Sequence, residues 1–228
     1  MGDILGIGVT HYPGLMLPDA YMSSFLTRTL KSDRIPAERK EPSRWPEPLR
    51  QELAANQEGG AAAEHRRRLV GGFRKAREAL DAFAPDFVLI WGDDQYENFR
   101  EDGVPSFCVF ALDAIDSRPF GRPGRAELGN VWGEGPDKVV RVDGHRAAGC
   151  WLASELLKAD FDVSYAYAMR HELGLPHAFI NTILYLDSRP ARVPVSGGAV
   201  PRQLLWLIGH RQARQHRTSD WSCRPERL

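Results

Sequence analysis

Histidines, carboxylates and one amide stand where apolar runs of this chain end. His11 closes Ile4-Leu5-Gly6-Ile7-Gly8-Val9-Thr10, and Pro13-Gly14 then turns the chain. Asp93, Asp94 and Gln95 follow Phe87-Val88-Leu89-Ile90-Trp91-Gly92. His171 and Glu172 follow Tyr165-Ala166-Tyr167-Ala168-Met169, and His145 stands two residues after Asp143. Imidazole is the commonest ligand for zinc and iron and also serves as an acid or base near neutral pH. Carboxylates ligate a metal directly or orient a histidine from behind. Convergence of these groups implies metal-assisted or acid–base chemistry at the strand-end rim of an α/β sheet, where ligands bind.

Each residue also has a plainer reading. His11 can simply hydrogen-bond a loop. Spacing alone favours loop solvation and helix capping for Asp93 and Asp94. His145, in the first turn of an expected helix, is a surface cap or a neutral imidazole. The positive helix end disfavours its cation, and a neutral ring accepts a proton or donates one hydrogen bond to a substrate. His177, at a helix start, reads as structural.

The elements that must position these groups follow from periodicity. Residues 4–10 read as a first, central strand. Residues 31–60 hold Pro36, Pro42, Pro46 and Pro48 and read as an excursion over the surface with one helical turn. Leu69, Phe73, Ala76, Leu80 and Phe83 recur every three or four residues, predicting a helix over 62–83 with one apolar stripe. His65-Arg66-Arg67-Arg68, with Arg74, Lys75 and Arg77, reads as its solvated face, with a phosphate or nucleic-acid patch as the alternative. Phe87–Trp91 and Phe107–Leu112 are continuous apolar runs that suit buried strands. Residues 117–136 form a Gly/Pro/Arg-rich loop. Asp143 is the expected N-cap of a helix over 144–158. Residues 163–169 read as a strand, and Pro176 opens a helix to about Leu186. The expected architecture is a three-layer α/β/α sandwich with a mostly parallel or mixed sheet.

The 228 residues suffice for one full core, and a formal net charge of zero gives no footprint for nucleic acid. No apolar run is long enough to span a bilayer, and no basic-then-apolar leader opens the chain, so a cytoplasmic protein is expected. Cys108, Cys150 and Cys223 form no CxxC pair, which fits a reduced state. There is no G-x-S-x-G elbow, Walker A loop or H-E-x-x-H. The expected domain is 1–187. From 188 to 228 the chain has eight arginines, no lysine and two acids, and reads as an atypical tail. With GC-rich codons, residues 192–207 read one base later can spell Gly-Phe-Pro-Tyr-Pro-Val-Val-Pro-Phe-Pro-Val-Asn-Cys-Tyr-Gly, a strand-like run. A truncated or shifted reading frame is therefore one expectation for the tail.

Four segments, in order, resemble motifs of the class III extradiol ring-cleavage dioxygenases, of the catalytic beta-subunit type related to protocatechuate 4,5-dioxygenase. They are 8–14, 85–95, Asp143-Gly144-His145 and 171–176, within a match over 4–187. His11 matches the family's first iron-binding histidine. Residues 85–95 resemble the strand written PDVVxxxxNDH, with Gln95 in place of the second iron-binding histidine and Asp94 matching its aspartate neighbour. His145 and His171 resemble the histidines of the GH helix start and the DHGxxVP segment. The resemblance implies Fe(II) held by His11 and Gln95, with Asp94 or Glu97 compensating for the weaker amide. It implies a catechol-type aromatic substrate and O₂, with His171 taking the substrate proton and His145 hydrogen-bonding substrate or oxygen. No nucleic acid and no membrane are expected from the charge and hydropathy above, and the resemblance is compatible with a homo-oligomer or a small partner subunit. The family's third ligand, a glutamate, has no match, so its two-histidine, one-carboxylate set is incomplete here. Two other classes remain open: a non-catalytic dioxygenase-like binding module, and a metal-dependent hydrolase with Asp93 and Asp94 as ligands.

Overall fold

In the computed structural model, which describes residues 2–22, 24–57, 60–122, 126–169, 174–187 and 204–209, four helices come first, four short strands follow, and helices and strands then alternate. The helices are α1 (Ser24–Lys31), α2 (Ala37–Lys40), α3 (Glu47–Gln57), α4 (Gly60–Phe83), α5 (Arg146–Lys158) and α6 (His177–Leu186). The strands are β1 (Val88–Gly92), β2 (Phe107–Phe110), β3 (Ala114–Ser117), β4 (Val140–Asp143), β5 (Val163–Ala166) and β6 (Leu204–Gly209). The chain forms two compact units. Of the described residues, the first comprises those in 2–83, 120–138 and 181–187; the second comprises those in 84–119, 139–180 and 204–209.

The first unit is helical. Leu15, Met16, Leu17 and Met22 are buried around the turn that Pro13-Gly14 starts, and Val70, Phe73 and Leu80 are the apolar buried face of α4. Phe73 packs edge-on against Tyr185 of α6, and Trp132 stacks on the same ring. Two arginines expected on a solvated helix face are structural instead. Arg66 donates to the carbonyls of Leu15 (2.7 Å) and Leu17 and pairs with Asp19, which pins the buried turn to α4. Arg77 is 1% exposed; its Nε donates to Asp81 at 2.8 Å and its Nη1 to the Leu186 carbonyl at 3.0 Å. Arg67 and Arg68 pair with Glu64 and stay in solvent, as expected.

The excursion over 31–60 contains α2 and α3, more helix than expected. Its prolines sit where a missing N–H is harmless: Pro36 just before α2, and Pro48 in the first turn of α3.

The second unit holds a four-stranded sheet in the order β1-β6-β2-β5, with β1 and β6 parallel, β2 and β5 parallel, and β2 and β6 antiparallel. The fold is therefore α/β with a mixed sheet. Strand alternation places successive side chains of β2 on opposite faces. Val109 and Phe107 pack with Ala153, Leu152 and Leu156 of α5, while Phe110 packs against Phe179 of α6. Strand β2 thus lies between two helical layers. Coverage of β1 is one-sided: Gly92 faces the Phe179 ring, whereas Leu89 is 45% and Trp91 61% exposed. The fully buried strand expected there is half-buried, because α5 packs on β2 and β5.

Residues 4–10 are not a strand. Gly6 and Gly8 weaken their β preference, and the slot between β1 and β2 is filled by β6. Strand β6 is formed by the apolar residues 204–208 and Gly209, within the tail; the expected boundary at 187/188 and the rest of the tail lie outside the described residues.

Among the described residues, no helix is long and apolar enough to cross a membrane.

Candidate functional site

His11 belongs to the first unit and is fixed there through its backbone. Its carbonyl accepts from Nδ2 of the fully buried Asn181 at 3.1 Å. The next carbonyl, Tyr12, accepts from the Tyr185 hydroxyl at 2.8 Å, and the Tyr12 hydroxyl donates to the Met22 carbonyl at 2.8 Å. Desolvation raises the Tyr12 pKa, with Arg66 opposing it, so this phenol stays protonated over the neutral range. Residues 181 and 185 lie one turn apart on α6, so a single helix face sets the height of the His11–Tyr12 segment.

The turn after β1 is built around Asp94, which is 1% exposed. Its carboxylate accepts from the backbone N–H of Glu97 (2.9 Å) and Asn98 (3.0 Å) and from Asn98 Nδ2 (3.0 Å). These bonds hold Tyr96 at φ 60°, a left-handed conformation that a tyrosine adopts only when its surroundings impose it. Gln95, between the two, is exposed, and its Nε2 donates to Asp93 Oδ2 at 3.0 Å. Glu97 then reaches α6: its carboxylate accepts from the His177 backbone N–H at 2.9 Å and meets the His177 Nδ1 at 2.8 Å. Sequence alone marked His177 as structural but offered no partner; Glu97 is that partner.

Burial, reinforced by the charge of Asp94, pushes the Cys108 thiol up to about 12, so it is an inert core residue.

His145 is the N-cap of α5, and its Nδ1 accepts from the Ala148 N–H at 3.3 Å. An accepting Nδ1 puts the proton of the neutral ring on Nε2. The cap expected at Asp143 is thereby shifted two residues. Asp143 stays in β4, paired with Ala114, and the Gly144 N–H donates to the Asp113 carbonyl at 2.7 Å. Gly144 lies so close to the Leu112 carbonyl that a Cβ there would collide with it. That close approach is why glycine precedes the histidine.

Within the second unit the candidates divide. The His145 ring packs edge-on against Phe87, 6.3 Å between centroids, beside the start of β1. Asp94 and Gln95 follow the end of the same strand. Five strand residues span roughly 17 Å, so the structure does not bring His145 to Asp94 and Gln95. His171 lies outside the described residues.

As a donor set for iron, the described residues fall short. The Asp94 carboxylate is occupied by N–H donors, Gln95 offers an amide oxygen, and no three His, Cys, Asp or Glu side chains gather to hold a metal ion among the described residues.

No family model matches the chain. It is similar to curated relatives named 2,3-dihydroxyphenylpropionate/2,3-dihydroxicinnamic acid 1,2-dioxygenase. The relative from Burkholderia vietnamiensis is 33% identical over 122 residues, covering 54% of this chain and 32% of the relative. That from Paraburkholderia phymatum is 30% identical over 122 residues, covering 54% and 33%. One from Escherichia coli is 27% identical over 125 residues, covering 55% and 33%. The matched segment spans about a third of the length of these relatives. The similarity is to dioxygenases of that name and does not distinguish among types of catalytic chain.

Proposed function

We propose that this chain derives from the extradiol ring-cleavage dioxygenases and acts on a catechol-type aromatic with O₂, with Fe(II) as the metal. The observation that carries this reading is the 33% identity over 122 residues to a 2,3-dihydroxyphenylpropionate dioxygenase. Fe(II), if held, would supply the Lewis-acid and redox chemistry of ring cleavage, and the described donors do not by themselves complete a site for it. His11 is the proposed imidazole ligand, Gln95 and Asp94 stand at the family's second ligand position, and His171 takes the substrate proton. The His11 carbonyl accepts from Asn181 Nδ2, which holds this segment on α6. His145, whose Nδ1 accepts from the Ala148 N–H, is proposed to hydrogen-bond substrate or oxygen through Nε2, near the start of β1. The chain is proposed to work in the cytoplasm without nucleic acid or a membrane, as a homo-oligomer or with a small partner subunit. The finer assignment to the catalytic beta-subunit type of the protocatechuate 4,5-dioxygenase group rests on the order of the motifs.

A second reading has its own support. The full engagement of the Asp94 carboxylate in its turn favours a non-catalytic dioxygenase-like binding module that holds no iron.

Anaerobic Fe(II) titration followed by oxygen uptake with 2,3-dihydroxyphenylpropionate tests both. The parent is expected to bind iron weakly with little or no turnover, and His11→Ala is expected to lose the remaining iron while keeping its circular dichroism. Iron content in His11→Ala equal to an iron-binding parent sinks the ligand assignment. Absence of iron binding in the parent supports the binding module.

A further inference from the structure

The helical excursion of the first unit encloses a cavity of about 560 Å³. Small-molecule sites occupy roughly 300–1,000 Å³ and are mostly apolar with a few polar groups. This cavity has that composition. Its inner wall is Met22, Tyr12, Ala62 and Leu53, with His65 edge-on to the Tyr12 ring at 6.1 Å between centroids. Trp45 is held in the wall by its own indole N–H, which donates to the Arg39 carbonyl at 2.8 Å. At the mouth, Leu49 remains 51% and Leu26 39% exposed, apolar surface that a ligand would cover.

Charge at the mouth argues against an anionic ligand. Arg44 is paired with Glu41 at 3.0 Å. Arg39, Glu38 and Glu52 line the cavity and have no ion-pair partner among the described residues. One unpaired cation against two unpaired carboxylates gives no attraction for an anion. The aromatic edges of Trp45 and Tyr12 suit a flat ring.

We propose that this cavity is a binding site for an uncharged aromatic molecule. None of His11, Asp94, Gln95 and His145 lines it, so the inference does not rest on the ring-cleavage reading.

The probe is N-phenyl-1-naphthylamine, an uncharged aromatic dye that brightens in apolar surroundings. It is expected to bind the full chain saturably with one site. Ala62→Trp, which fills the cavity from α4, is expected to weaken binding at least about tenfold, with an unchanged circular dichroism spectrum. Leu49→Asp, at an exposed position on the mouth, gives the same result without touching the inner wall. Trp151→Ser, on an exposed apolar position of the second unit, is expected to bind like the parent. The sulfonated analogue 8-anilinonaphthalene-1-sulfonate is expected to bind more weakly than the uncharged dye. The proposal is overturned by unsaturable binding to the parent, by parent-like affinity in both Ala62→Trp and Leu49→Asp, by loss of binding in Trp151→Ser, or by tighter binding of the sulfonate.

Discussion

Glu97 and His177, separated by 80 positions, form a largely buried pair in which one carboxylate meets both the backbone N–H and the ring Nδ1 of the histidine. The N–H belongs to the first residue of α6, one of the donors that a helix cannot satisfy internally. The carboxylate therefore joins the turn after β1 to the start of α6, and the negative charge sits at the favourable helix end.

Glu97→Ala leaves two donors without this acceptor. A buried donor left unsatisfied costs about 1–3 kcal/mol, so a loss of roughly 2 kcal/mol is expected. For a chain of this size each kcal/mol lowers the melting temperature by about 2–4 °C. Glu97→Gln keeps one acceptor oxygen and should lose less. Urea unfolding of both variants checks the order; an Ala variant as stable as the parent would show that the pair contributes nothing to stability.

The two histidines flanking Pro176 should separate in a kinetic comparison. Under the ring-cleavage reading, His171→Phe in iron-loaded protein lowers turnover by ~10²–10⁴, the usual contribution of a general base. His177→Phe should act through stability, since its ring is committed to Glu97. Turnover and melting temperature of both variants decide it, and loss of turnover at unchanged stability in His177→Phe would reverse the assignment.

At the start of α5, His145→Ala removes the side-chain cap and should cost about 1 kcal/mol, whereas His145→Asn supplies another good cap and should stay within a few tenths. Equal stability of the two variants in denaturant titration would show that the Nδ1 contact to Ala148 contributes nothing.

Thiol chemistry should distinguish Cys150 from Cys108. Cys150 is exposed and should react with iodoacetamide in the native protein; Cys108 should react only after unfolding. The pH dependence has a definite sign. The native Cys108 pKa is raised from 9.0 to about 12, so below pH 9 both states are protonated and its contribution is fully present. Between 9.0 and about 12 only the unfolded thiol loses its proton, and stability falls with pH. Tyr12, also raised, pushes in the same alkaline direction. Peptide mapping after alkylation and a pH series of unfolding midpoints check both; a Cys108→Ala variant with an unchanged alkaline slope would remove the thiol as its cause.

Arg77→Lys tests the buried fork on α4. Lysine keeps the charge but cannot donate to Asp81 and to the Leu186 carbonyl with one planar group. A loss of about 2 kcal/mol is expected, at the scale of hydrogen bonds made by charged groups. Parent-like thermal unfolding of Arg77→Lys would show that either charged head suffices.

Much of the local structure was readable in the residues themselves. The 3.6-residue stripe placed α4, ended by Pro85, and the apolar runs placed β1 and β2, because periodicity and turn residues act within a few positions. His145 was readable as a helix-start histidine, although its exact cap position depended on β4 keeping Asp143 in a ladder with Ala114. The proline-rich stretch concealed α3, since the same residue that breaks a helix interior is harmless in its first turn. His11 was singled out by its place after an apolar run, yet that run is not a strand, because a strand needs a neighbour as well as a pattern.

By itself the sequence determined an α/β chain whose imidazoles and carboxylates cluster after apolar runs, and a resemblance carried by four ordered segments. Those properties depend on residues close together along the chain. Only the tertiary structure decided which groups meet: Glu97 with His177, Asp94 with its own turn, Arg77 with the end of α6, and His145 at the other end of β1 from Gln95. The physical reason is that a short strand carries two chemically distinct ends, and pairing order, which sequence periodicity does not encode, determines which residues share one of them.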